Sequence, residues 1–467
     1  MERVIISKLK WGLNLLGNNN IKLINFHTGP IDNLLKDIFS YSLITFLFKI
    51  SGLFLGYVFT LFISRKFGAY SMGVFSLATA ILNILSVIGR FGFDTALLKF
   101  VAEYSAKKRM DLVKVVYIRI IKIIVPFCIL LSLLLFFFSP YITKYYFNKD
   151  YFSINLKIIS FVILPMVLIF INSESLRGLK KIKEYAFIQN VAIYFIATIM
   201  LGLSFLVTQH ENVPIIVYCI SIVFVFVVSE IIWLKHSRIN NMSYKTDSVK
   251  LKTILDISIP MMFISYFAQV IMLADIILLG IFRTEHEVGI YAVAVRIAMV
   301  LFLPLFAIGG IAAPKIAECH AINDRCGFVN TIKYSAKMMF WSSSPIAILI
   351  FIFPSFILGI FGEEFKAGHT ALLVLTLGHY LNTIMGSAGF VLQMSGKEKI
   401  FRNILLITSL INIALNIFLI PKYGLNGAAF TSMLSMVFLS ISSVIFVKYY
   451  FKVMPVHLTE LKIIKKS

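Results

Sequence analysis

Apolar residues in this chain gather into long unbroken stretches separated by short polar segments. Roughly twelve such stretches are found, near residues 43–63, 73–98, 117–138, 155–173, 186–208, 213–234, 258–282, 288–312, 338–360, 370–393, 404–420 and 425–447. Each is close to the ~20 residues a helix needs to cross the hydrocarbon of a bilayer. The stretches are continuous, not alternating, which excludes a transmembrane β-barrel. Pro126, Pro165, Pro304 and Pro345 fall inside them. A proline frees a backbone carbonyl, and in lipid that carbonyl needs a neighbour, so these helices are expected to be bundled. The expected fold is an all-α polytopic membrane protein of about 12 transmembrane helices in two six-helix bundles. Its parts are a cytoplasmic or interfacial segment (1–42), a first bundle (43–234), a linker (235–257), a second bundle (258–447) and a basic tail (448–467). Residues 1–40 lack the apolar core of a cleavable signal and hold Asn18, Asn19 and Asn20. Met1–Leu16 reads equally as an interfacial helix or a solvated tail.

Composition agrees and narrows the class. The chain is 59% hydrophobic and 14% charged over 467 residues. A soluble domain is nearer 45–50% and 25%, so a soluble enzyme, a disordered chain and a disulfide scaffold are all excluded. The charge balance is the odd feature: 44 Lys+Arg against 22 Asp+Glu, a net +22. With twelve spans, 30 of the positive residues fall in the tails and even-numbered loops, and 7 in the odd-numbered loops. That asymmetry predicts both termini on the cytoplasmic side and explains the charge without nucleic acid. Cys128 and Cys219 lie within spans, and no disulfide framework is implied. Cys319-His320 with Cys326 lacks the fourth ligand that a structural metal site needs.

The halves also repeat. Gly73-Val74-Phe75-Ser76-Leu77-Ala78 returns as Gly289-Ile290-Tyr291-Ala292-Val293-Ala294, 216 residues on. Val101-Ala102-Glu103-Tyr104 returns as Ile316-Ala317-Glu318-Cys319, and Gly178 with Lys181-Ile182 returns as Gly396 with Lys399-Ile400. An even number of helices per unit inserts both halves with the same orientation, around an axis along the membrane normal.

Ionisable residues inside spans are costly and mark candidate pathways. Arg296, amid Tyr291-Ala292-Val293-Ala294-Val295, cannot face lipid cheaply and is assigned to a cavity. Asp275 has no local cation and must face a cavity or pair across helices. Arg90 and Asp94 share one helix face, as a self-satisfied ion pair or as part of the cavity. Lys49 either snorkels or joins the cavity. His379 reads as a packed, hydrogen-bonded core residue. Gly52 and Gly56 form a G-x-x-x-G that permits close helix approach. A cavity with Lys49, Arg90 and Arg296 is cationic, and guanidinium groups grip phosphate bidentately, so the expected cargo is anionic.

Four stretches resemble the MOP (MATE-like) flippase superfamily, and within it the polysaccharide-export branch of O-antigen (Wzx-type) flippases. They are Phe67-Gly68-Ala69-Tyr70-Ser71-Met72-Gly73, Ala274-Asp275-Ile276-Ile277-Leu278-Leu279-Gly280, Leu392-Gln393-Met394-Ser395-Gly396-Lys397 and Asn412-Ile413-Ala414-Leu415-Asn416 running on to Pro421-Lys422-Tyr423-Gly424. The resemblance implies a V of two bundles around a central cavity in the bacterial inner membrane. It also implies flipping of an undecaprenyl-pyrophosphate-linked oligosaccharide (an O-antigen or other surface-polysaccharide unit) by alternating access. Arg296 falls where related lipid II flippases carry a cavity arginine. Their first-helix arginines fall on Leu53 and Phe59, and two C-terminal helices are not matched, which argues against lipid II as cargo. Substrate contacts are expected from Arg296, Lys49 and Arg90, and Na⁺ or H⁺ coupling from Asp275 or Asp94, with no other cofactor. A polymerase and a chain-length regulator are candidate partners. The competing readings are a cation-coupled multidrug (MATE-type) exporter and a membrane polysaccharide polymerase or ligase.

Overall fold

Phe59 and Phe75 stand with ring centroids 5.4 Å apart, although sixteen residues of straight helix would separate them by about 24 Å. The chain therefore folds back between them. The turn is Gly68, whose φ of 77° interrupts the helix Pro30–Arg90. Asn412 Nδ2 likewise donates to Ser435 Oγ at 3.1 Å, and the turn is Gly424, at φ 54° within Glu398–Phe451. Glycine takes this left-handed backbone without a Cβ clash. Each long helix is thus a hairpin of two spans.

The computed structural model describes residues 30–204, 210–237 and 251–456, with side chains from residue 43 onward. The segment Met1–Leu16, most of the linker and the end of the basic tail lie outside the described residues. The chain divides into two units, Met1–Tyr41 and Ser42–Ser467.

Within the second unit, among the described residues, the helices are α1 (43–67), α2 (69–90, then Phe93–Ala106), α3 (Met110–Ile142), α4 (Phe152–Ser160, then Ile163–Gly178), α5 (from Ile182–Phe187 through Ile193–Ser204), α6 (Val213–Ser237), α7 (Leu251–Phe282), α8 (Glu285–Ala298, then Phe302–Ala321), α9 (Arg325–Ile352, then Pro354–Gly359), α10 (His369–Met385, then Ser387–Met394), α11 (398–423) and α12 (425–451). Eight described helices are long and apolar enough to span a membrane, and two bent pairs raise that to ten. Dividing the two hairpins gives the twelve expected. Several helices run past the apolar stretches, so segments expected as loops, such as 102–116 and 313–337, are largely helical.

The proline expectation separates into two cases. Pro126 and Pro345 lie inside continuous helices. Pro165 sits in the first turn after a break, where a missing N–H costs nothing because that group has no helical partner anyway, and Pro304 follows the tighter 3-10 turn Met299–Leu301.

Backbone geometry supports the repeat and shifts one of its matches. Lys108 and Asn323, 215 residues apart, both adopt positive φ. The next residue closes a Schellman cap in each, Arg109 N to Tyr104 O at 2.8 Å and Asp324 N to Cys319 O at 2.9 Å. Lys180 and Gly396 form the second such pair, followed by Lys181 N to Leu176 O and Lys397 N to Leu392 O. The true partner of Gly396 is therefore Lys180, not Gly178. Matching by residue type aligns glycine with glycine and so slips by two residues, because here the conformation is kept while the residue type is not.

Candidate functional site

A cavity of about 240 Å³ lies between the helices of the two repeats. Met72, Phe75, Ser76, Thr79 and Asn83 of α2 line one wall, with Tyr194 of α5 and Tyr218 of α6. Gln269 and Asp275 of α7, Val295 and Arg296 of α8, His379 of α10 and Ser432 of α12 line the other.

Arg296 reaches across to α1. Its Nη1 donates to Gly56 O at 2.8 Å and to Thr60 Oγ1. The Tyr57 hydroxyl donates in return to Arg296 O. Its guanidinium carbon lies 5.7 Å from the Tyr194 ring centroid. None of these partners is a carboxylate, and among the described residues none hydrogen-bonds Nη2 or Nε. Among the described residues the positive charge therefore has no ion-pair partner. The G-x-x-x-G bears on this directly. A Cβ on Gly52 would strike the Asn190 carbonyl of α5, while one on Gly56 would stand 3.8 Å from Arg296 Nη1, an ordinary contact. The first glycine brings α1 onto α5, and the second serves Arg296 through its backbone carbonyl. Nothing in the sequence pattern assigns the motif a part in the site.

Asp275 is buried and bonded to uncharged donors. Asn412 Nδ2 and Asn416 Nδ2 donate to its Oδ1 at 3.2 and 2.5 Å. The Tyr291 hydroxyl donates to Oδ2 at 2.9 Å, and so does the Ser432 hydroxyl. No cationic side chain touches it among the described residues. Four hydrogen bonds offset part of the cost of burying a carboxylate, but none supplies a countercharge. Sequence reasoning finds Asp275 and misses its donors. The available signal is Asn412 and Asn416, four apart in an apolar run and so on one helix face. Tyr291 and Ser432 come close only through tertiary packing.

The other expected residues lie elsewhere. Arg90 and Asp94 pair at 3.0 Å with side chains only 14% and 12% exposed, and the Arg90 guanidinium lies 4.1 Å from the Phe170 ring centroid. Neither lines the cavity. Lys49 sits over Phe306 of α8 at 3.3 Å from the ring centroid, also outside the cavity lining. His379 is buried against Phe302, edge to face at 4.6 Å, but neither ring nitrogen has a hydrogen-bond partner among the described residues. The expectation of a hydrogen-bonded histidine is corrected on that point, since the Phe302 ring it packs against is not a conventional hydrogen-bond partner. Cys128, Cys219 and Cys319 are buried free thiols and Cys326 is exposed. Among the described residues no three His, Cys, Asp or Glu side chains are grouped to hold a metal ion.

Residues 34–320 match the family model described as polysaccharide biosynthesis protein, and residues 260–418 match the MatE model. An uncharacterized membrane protein of Methanocaldococcus jannaschii is 26% identical over 385 residues, covering 77% of this chain and 74% of its own length. A probable low-salt glycan biosynthesis flippase of Haloferax volcanii is 27% identical over 162 residues, 34% of each chain. Among solved structures, the lipid II flippase MurJ in an inward closed conformation superposes with a TM-score of 0.71 at 19% identity, covering 88% of this chain and 87% of that one.

Proposed function

The chain belongs to the polysaccharide biosynthesis protein family, within the MOP transporter superfamily, and on that premise we propose that it flips a polyprenyl-pyrophosphate-linked oligosaccharide across the cytoplasmic membrane. The cargo is of the kind built for O-antigens and other surface polysaccharides, with undecaprenol as its bacterial lipid. One observation carries the reading. Arg296 lines the cavity with an N–H edge that, among the described residues, has no protein partner and no carboxylate against it. A planar fork in a low-dielectric site is suited to a phosphate. The sugar head group enters from the cytoplasmic side, its pyrophosphate meets the open Nη2–Nε edge of the guanidinium, and the lipid tail stays in the bilayer. Lys49 supplies a second cation along the α1–α8 seam, held ready over Phe306. Both termini are cytoplasmic in this scheme, in line with the lysine and arginine asymmetry.

Asp275 is the proposed coupling residue, taking Na⁺ or H⁺. A buried carboxylate without a countercharge gains most from a cation. Asn416 Oδ1, buried and without a partner among the described residues, supplies a second oxygen beside it.

The MatE match favours a second reading, a cation-coupled drug exporter. A drug-sized cation needs an accessible carboxylate, whereas Asp275 is only 2% exposed, and Arg296 would repel the drug. The test is export in cells lacking the endogenous flippase. Arg296→Ala should abolish surface polysaccharide with the protein still inserted. Normal polysaccharide in that variant would reject the reading.

A further inference from the structure

The end of the bundle that carries Gly68 is closed by two contacts that the internal repeat relates to each other. Lys149, in the turn before α4, reaches the α7–α8 turn. Its Nζ donates to Gly280 O at 2.9 Å and Arg283 O at 2.7 Å, and pairs with Glu285 Oε1 at 3.2 Å. All three ammonium protons have an acceptor, and the two side chains are 11% and 4% exposed. The Tyr151 hydroxyl adds a hydrogen bond to the same carboxylate. Glu364, 215 residues after Lys149, reaches the α1–α2 turn of the other half. Its Oε1 accepts from Ala69 N at 2.7 Å, while its Oε2 meets His286 Nε2 at 3.0 Å.

The two arms have opposite charges, and each charge suits its target. Lys149 caps the carbonyls at the end of α7, where the helix dipole is negative. Glu364 caps the first N–H of α2, where it is positive. Arg65 reinforces the second arm by donating to Ile360 O at 2.6 Å and Gly359 O at 3.2 Å. Between the arms the halves meet backbone to backbone. A Cβ on Gly73 would strike Glu285 O, and one on Gly289 would strike Ala69 O. Gly73 with Gly289 and Ala69 with Glu285 are both repeat partners at an offset of 216, so the contact is reciprocal, as across a two-fold axis.

We propose that Lys149 and Glu364 are the two arms of one gate, which closes this end of the cavity and must release both helix ends before cargo can leave there. The proposal rests on the transport reading only in needing the end to open during turnover. Each arm joins one half to the other, so separating the halves at this end breaks both together. The Gly73–Gly289 contact carries no charge and leaves the arms to set the balance between open and closed.

The test measures access to the cavity and adds no cargo. In a full-length protein with Cys128, Cys219, Cys319 and Cys326 replaced, Thr79→Cys places a thiol in the cavity lining. A membrane-impermeant maleimide is applied from each side in oriented vesicles. Lys149→Met and Glu364→Gln should each raise labelling from the clasped side about tenfold or more, by destabilising the closed state, and should lower it from the opposite side. Unchanged rates from the clasped side would overturn the gate. So would a rise from both sides, which means general loosening. Glu364→Gln, at a half-exposed position, decides alone if Lys149→Met does not insert. A wrong cargo assignment leaves these rates untouched, so the two failures are distinguishable.

Discussion

The first half of the chain carries Arg90 and Asp94 within its spans, besides Lys49, and the second carries Arg296 and Asp275. The first pair is closed on itself, guanidinium to carboxylate at 3.0 Å, with Phe170 over the cation. In the second half each charge has neutral partners instead. Arg296 has a carbonyl, a hydroxyl and a ring, and Asp275 has two amides and two hydroxyls. Both of the second pair line the cavity. Charge inside a span is therefore not by itself a sign of transport function. A charge already matched by its own helix neighbour stabilises packing, and a charge left unmatched at a cavity is available to a ligand.

Removing Arg296 is the largest change this contrast predicts. Arg296→Ala should lower export by roughly 100-fold or more, the effect of losing a buried charge-assisted contact of about 3 kcal/mol or greater. Arg296→Lys should recover only part, since an ammonium lacks the planar fork. Export rates at matched membrane levels check both. Asp275→Asn should come next. It should leave insertion intact and remove the dependence of transport on an ion gradient, which is read by collapsing Na⁺ and H⁺ gradients separately. An unchanged gradient dependence would reject Asp275 as the coupling site.

The paired half should behave in the opposite way. Asp94→Ala strands the Arg90 charge and should cost about 3–5 kcal/mol of stability. The double replacement Arg90→Met with Asp94→Leu should recover most of it and transport near the parent rate. Thermal melting of detergent-purified protein, beside export, separates these outcomes. If the double variant melted normally but failed to transport, Arg90 and Asp94 would belong to the mechanism. The smallest contrast is within the G-x-x-x-G. Gly52→Ala collides with the Asn190 backbone and should destabilise, whereas a Cβ on Gly56 meets only ordinary contacts near 3.8 Å and should be tolerated.

Span number and repeat are legible in the sequence because both are written in runs of residue type. Twelve apolar stretches correspond to twelve helices among the described residues once Gly68 and Gly424 are recognised as turns. Arg296 and Asp275 are legible because their neighbours in sequence offer no countercharge. What escapes are the partners supplied by distant helices. Thr60 and Gly56 face Arg296 from α1, more than two hundred residues away in sequence. The Asp275 donors come from α8, α11 and α12. Helical periodicity shows which residues share a face, but not which helix that face will meet. Arg90 stays open between two roles in the sequence for the same reason, and its exclusion from the cavity is a fact of packing. The Lys180–Gly396 equivalence is hidden because it lies in backbone conformation.

Binding of a lipid-linked sugar's phosphate by Arg296 is tested by measuring affinity for two ligands, a polyprenyl-pyrophosphate-linked sugar and the same lipid sugar joined without phosphate. Both are titrated against purified parent and Arg296→Ala proteins. If the guanidinium holds the phosphate, removing the phosphate weakens binding to the parent by roughly tenfold or more and hardly affects Arg296→Ala, a coupling between residue and phosphate. An equal loss in both proteins would contradict that role.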